Sequence, residues 1–158
     1  MSIGTRFKRA LLGTSLAVLL IATASAAVAG AEEDVTAAMN AWRDNLKAST
    51  PADPGKITSL YAKDAVLWGT ISPTIRATPA LINEYFVSAL QKLPKLTVVF
   101  KDPHIRVFGD VALNSGDYTF TNEKDGKMVD LPARYSFALV KRDGKWLIVD
   151  HHSSGLPK

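Results

Sequence analysis

The sequence contains no cysteine. Disulfides, thiolate metal sites and cysteine nucleophiles are therefore excluded. Histidine is scarce as well. His104, His151 and His152 show neither H-x-H nor H-x3-H spacing, and the adjacent pair would point to opposite faces of a strand. No metal site and no cofactor are expected. The chain also lacks a nucleophile elbow, a phosphate-binding glycine loop and paired catalytic carboxylates. Acidic residues are outnumbered, 15 against 19 basic ones, for a net charge of +4 over 158 residues. Taken alone, that excess invites a nucleic acid or an acidic membrane surface.

The first 29 residues change that view. Arg6, Lys8 and Arg9 head the chain, and no charge follows from Ala10 to Ala31. A leucine-rich centre gives way to small residues, and both Ala24-Ser25-Ala26 and Ala27-Val28-Ala29 fit an A-x-A cleavage site. Residues 1–29 are expected to form a cleavable signal peptide. An uncleaved anchor is the alternative, since the uncharged run approaches the ~20 residues a membrane span needs. The Ala/Ser/Thr/Gly ending suits a peptidase better. Three of the 19 basic residues and none of the 15 acidic ones lie in this segment, which leaves 129 residues with a charge of +1. A periplasmic or secreted protein follows, with no nucleic-acid partner and no membrane contact after cleavage.

What remains has the length and composition of one domain. It is 47% hydrophobic and 22% charged over the whole chain, ordinary for a globular protein. Val35, Met39, Trp42 and Leu46 recur at steps of four, three and four, which predicts a helix over 32–48. Asp53-Pro54 predicts a capped short helix through Ile57, Leu60 and Tyr61, and Thr78-Pro79 opens a third that ends near Pro94. A short strand is expected at 65–68 and a loop at 69–77. Beyond Pro94 the chain reads as strands: 96–100 and 105–108, then 111–121, 128–141 and 146–152. Gly109-Asp110, Asp125-Gly126 and Asp143-Gly144 mark the turns. The expected class is α+β, with three N-terminal helices packed on a curved, mainly antiparallel sheet. Such a sheet wrapped round the first helix leaves a conical interior suited to a small ligand.

Three stretches carry a family resemblance. Pro103-His104-Ile105-Arg106-Val107-Phe108-Gly109-Asp110 resembles the start of the central hairpin of the calcium/calmodulin-dependent protein kinase II association domain. Arg142-Asp143-Gly144-Lys145-Trp146, with the ending His152-Ser153-Ser154-Gly155-Leu156-Pro157, resembles that domain's last strand. Leu67-Trp68-Gly69-Thr70-Ile71-Ser72-Pro73-Thr74-Ile75-Arg76 is similar to its secreted bacterial relatives of the SgcJ/EcaC type. The resemblance spans residues 33–157. It implies an NTF2-like (SnoaL-like) cone-shaped roll and a tendency to self-associate. Kinase activity is not implied, because no Gly-rich loop or catalytic-loop His-Arg-Asp is present. The chain departs from the family at Arg134, where acidic residues are usual, and at Thr119, where an arginine is usual. The family's arginine-lined pocket is therefore not carried over.

Period two along the last strand puts Trp146, Ile148, Asp150 and His152 on one face, with Leu147, Val149 and His151 on the other. Trp146 and Ile148 suggest that the first face looks into the cone. Asp150 and His152 then become candidate catalytic residues, a carboxylate orienting a general base. A hydrogen-bonded pair closing the sheet end is the alternative. Arg134 serves as an anion clamp if it points inward and as a solvated or dimer-contact residue if outward. Trp68, Arg76, Tyr85 and Tyr118 are candidate ligand contacts; plain core packing is the stronger reading of Trp68 and the alternative for Tyr85 and Tyr118. The expected function is a secreted homo-oligomer, dimeric or larger, that binds a small organic ligand, anions included. A cofactor-free acid/base enzyme using Asp150 and His152, isomerase- or hydrolase-like, is one alternative. A pure assembly module is another.

Overall fold

Apolar residues one helical turn apart must share a face, and in the first helix that face is the seam of the fold. The computed structural model describes the backbone of residues 14–157 and the side chains from Ala29 onward. Helix α1 (Thr14–Ala48) buries Val35, Met39, Trp42 and Leu46 almost completely. It begins well upstream of the expected 32–48, because the Ala/Leu-rich stretch before it is itself a good helix former. Residues 29–34 bury little, so a cut after Ala29 would leave the buried stripe intact. The basic cluster Arg6, Lys8 and Arg9 lies outside the described residues. Among the described residues no helix is long and apolar enough to cross a membrane.

Helix α2 (Gly55–Thr58) is shorter than expected and is not capped by Asp53. The Asp53 backbone pairs instead with Thr50, and the Ser49 hydroxyl at the end of α1 accepts from the Ile57 amide at 3.3 Å. Tyr61 consequently falls in strand β1 (Tyr61–Trp68), which is longer than the expected 65–68. In helix α3 (Pro79–Lys92) the Thr78 hydroxyl accepts from the Leu81 amide at 3.3 Å, as the Thr-Pro start signal requires.

Four long strands follow: β2 (Thr97–Phe108), β3 (Val111–Lys124), β4 (Lys127–Arg142) and β5 (Lys145–Gly155). The turns between them use Gly109, Asp125-Gly126 and Asp143-Gly144 at positive φ. The two strands expected at 96–100 and 105–108 are one strand with an irregularity between Lys101 and His104. Pro103, which has no amide to donate, is tolerated there because β2 is a sheet edge. Gly116 sits opposite this bulge. A Cβ on it would lie 2.9 Å from both the Asp102 carbonyl oxygen and the Tyr135 hydroxyl.

The sheet order is β1-β5-β4-β3-β2, antiparallel throughout except for the parallel β1–β5 pair. Helix α1 packs against β2 and β5, and α3 against β1. The inner face of the sheet, with Tyr118, Tyr135, Phe137, Leu139 and Ile148, closes on Trp42 and Leu46.

One register change decides the site. Strand β4 advances a single residue, Ala138 to Leu139, while β5 advances two, Asp150 to Ile148. Val149 is thus an extra residue, a β-bulge. It inverts the alternation of everything after it. Trp146 and Ile148 are buried as expected, but next to be buried are His151 and Ser153, and Asp150 and His152 are exposed. The expectation that Asp150 and His152 face the interior is therefore corrected. Arg134 is also exposed, on the outer face of β4, with its Nε donating to the Ser154 hydroxyl at 3.1 Å. Of the two readings of Arg134, the structure shows the outward one.

Candidate ligand-binding site

Between α1, α3 and the inner sheet face the cone narrows to a cleft of about 30 Å³. Room of that size holds a water or two when enclosed. This cleft is open on one side, where Thr70, Ile71, Tyr85, Leu93 and Leu131 are only partly buried or exposed. Trp42, Leu46, Phe86, Leu96 and Phe120 supply apolar walls, and no lining side chain carries a formal charge.

One wall is polar. A chain of buried groups runs from α1 across β5 to the loop after β1. The Trp42 indole donates to the Tyr61 hydroxyl at 3.1 Å. That hydroxyl lies 2.8 Å from His151 Nδ1, and His151 Nε2 lies 3.5 Å from the Tyr118 hydroxyl. Tyr118 in turn donates to the Ser153 hydroxyl, which also meets Thr70. Aromatic rings hold the imidazole in place: Phe137 stacks on it at a centroid distance of 3.9 Å, and Trp42 meets it edge-on at 5.5 Å.

Burial sets the charge state of this wall. It pushes the His151 pKa down to about 3, with the neighbouring His152 adding to the effect, so the ring is neutral at physiological pH. Burial also raises the Tyr61 and Tyr118 hydroxyls well above the usual tyrosine range, against the pull of their hydrogen bonds. Tyr85 is pushed up to about 12 by burial, opposed by the Ile71 and Thr70 amides that face its oxygen. Every polar group in the cleft is therefore an uncharged hydrogen bonder.

The expected site residues divide between the two faces of the sheet. Tyr118 and Tyr85 line the cleft. Tyr85 can do so because residue 69 is glycine, where a Cβ would stand 2.2 Å from the tyrosine ring. Arg76 lies outside the lining. It staples the loop instead, its backbone pairing with Leu67 and its Nε donating to the Ser72 hydroxyl at 3.1 Å. Trp68 is 42% exposed on the outer face, in register with His152. Asp150 is on that outer face too, its pKa raised by partial burial against the opposing pull of His152. Sequence reasoning missed His151, Ser153, Thr70, Tyr61 and Trp42 as polar members of the wall. The bulge that brings them together has no sequence mark.

A curved five-stranded sheet closed by three helices around a side-opening cleft defines the class: an α+β protein of the NTF2-like type. The chain belongs to the calcium/calmodulin dependent protein kinase II association domain family, whose pattern matches residues 31–157. A candidate member from Xanthomonas campestris is similar in structure at a TM-score of 0.71 and 40% identity, over 78% of this chain and 86% of its own. A candidate dehydratase of the NTF2-like family from Streptomyces avermitilis matches at 0.70 and 16% identity, over 80% and 97% of the two chains. An NTF2-like superfamily protein from Salmonella enterica matches at 0.67 and 21%, over 82% and 94%. The last two likenesses concern the fold alone. No curated protein matches the chain.

Proposed function

We propose that this protein is an exported, self-associating domain that holds a small, largely apolar organic ligand in its cleft. One observation carries the ligand reading: a side-opening apolar cleft with a single wall of neutral, connected hydrogen-bonding groups. That is the composition of a small-molecule site, in which apolar walls supply affinity and a few polar atoms fix orientation. Self-association is supported by membership of an association-domain family and by exposed apolar residues such as Phe108 and Val111 on the outer sheet face. Export is supported by the basic head, the uncharged run and the small-residue cleavage site at 27–29.

An anionic ligand is not favoured, since Arg134 stands outside the cleft and no cation lines it. Acid/base catalysis is not favoured either. Asp150 and His152 are outside, and both nitrogens of the inner imidazole, His151, already face hydroxyl partners. Native mass spectrometry of the protein purified from the periplasm or medium of an expressing cell tests the proposal. Dimers or larger assemblies starting at Gly30 and carrying a small-molecule adduct are expected. A monomer with no adduct contradicts it.

A further inference from the structure

We infer that Arg106 and Asp150 set the specificity of self-association, each meeting the other's counterpart across a two-fold axis that runs along the strands between β3 and β4. This rests on the self-association reading above and adds to it which side chains meet. Residues in register share a face, so the outer face of the sheet divides into rows. Arg106, Leu113, Ala138, Asp150 and Val66 form one row from β2 to β1. On the side of the tight turns lies an apolar row, Phe108, Val111, Val140 and Leu147. Toward the other end Lys101, Asp117, Arg134 and Ser154 form a charged one. Arg106, Asp117, Arg134 and Asp150 are all exposed. Among the described residues none of these four forms an ion pair. Arg106 and Asp150 are three strands apart, about 14 Å at ~4.8 Å per strand, too far to pair within one chain.

A second copy supplies the missing partners. Two identical faces meet about a two-fold axis that lies in the interface. With the axis along the strands between β3 and β4, rows stay in place and strands exchange: β4 lies over the partner's β3, and β5 over the partner's β2. Asp150 then faces the partner's Arg106, and Arg134 faces the partner's Asp117. In the apolar row Leu147 faces the partner's Phe108, and Val140 the partner's Val111. Such aligned packing of two sheets is a favoured arrangement, and the long arginine side chains span the offset that twist introduces. An axis across the strands sets Arg134 over the partner's Ala138 or Val140 instead, which strips water from a charge and returns no partner. Only the first arrangement matches charge to charge and apolar row to apolar row. Charge matching of this kind discriminates between partners more than it adds affinity, so the paired residues select this chain's own copy.

Charge reversal tests the pair on the purified exported protein, with assembly followed by sedimentation velocity and native mass spectrometry. Arg106→Asp and Asp150→Arg each set like charges against one another twice in a two-fold contact. Each is expected to weaken assembly at least about a hundredfold. Both positions are exposed, and thermal melting by circular dichroism should match that of the parent subunit. The two single variants are complementary to each other, so mixing them should restore assembly as mixed pairs of distinct mass. The double variant carrying both changes should assemble on its own. Single variants that assemble like the parent overturn the pair and leave self-association standing. Failure of either rescue overturns it as well, because charge would then matter without these two residues meeting. A monomeric parent removes both the pair and the self-association reading.

Discussion

A neutral imidazole sealed between two phenols makes the stability of the whole domain depend on pH. His151 has its pKa held near about 3, below the ordinary 6.5, so the unfolded chain binds one more proton than the folded chain between those values. The contribution of this group is complete above 6.5 and is lost as pH falls toward 3. Its slope is about 1.4 kcal/mol per pH unit. Exposed carboxylates that lean on arginines, such as Asp64 on Arg142, lose stability in the same direction at the acid end. Comparing the protein with His151→Gln in urea titrations between about pH 6 and pH 4 isolates the imidazole. The variant is expected to be less stable by about 1–3 kcal/mol near neutrality and to show a shallower acid slope. Equal slopes would mean that His151 is not buried neutral. Gly69 carries the second residue-scale expectation. Gly69→Ala drives a methyl into the Tyr85 ring and should cost about 1–3 kcal/mol. Adding Tyr85→Ala should make the two costs less than additive, measured by a double-mutant cycle.

At the scale of elements, local chemistry was legible wherever one residue type answers one backbone demand. Thr78-Pro79 starts α3, Asp125-Gly126 and Asp143-Gly144 turn the hairpins, and the four-residue stripe on α1 is buried as spaced. The site was half legible, with Tyr85 and Tyr118 placed in the cleft and Asp150, His152 and Arg134 placed outside it. The fault lies in one extra residue. Val149 is an ordinary strand former, and nothing in Trp146-Leu147-Ile148-Val149-Asp150 marks where the pleat slips. Asp53 failed as a cap for a similar reason, because a backbone bridge to Thr50 competes for it. Deleting Val149 tests the bulge. It would return Asp150 and His152 to the inner face and turn His151 out. No cooperative thermal transition by circular dichroism is expected, and a transition at the parent temperature would contradict the role given to the bulge.

The whole molecule presents two unlike surfaces. The inner face is spent on core and cleft. The outer face is mixed, with Arg134, Ser136, Asp150 and His152 exposed toward one end and Phe108 and Val111 exposed at the other, 61% and 42% accessible. Exposed apolar side chains in register on neighbouring strands suit contact with a second copy. Phe108→Glu combined with Val111→Lys is expected to yield a monomer by light scattering, with unchanged thermal stability of the subunit. Retained assembly would place the contact elsewhere. For the cleft itself, the decisive measurement is chemical-shift mapping of a small, uncharged, largely apolar probe such as cyclopentane on the purified protein. Binding in the cone predicts shifts concentrated at Thr70, Ile71, Tyr85, Tyr118 and Ser153. Shifts concentrated at Trp68, Arg134 and His152 on the outer face, or none at all, would contradict it.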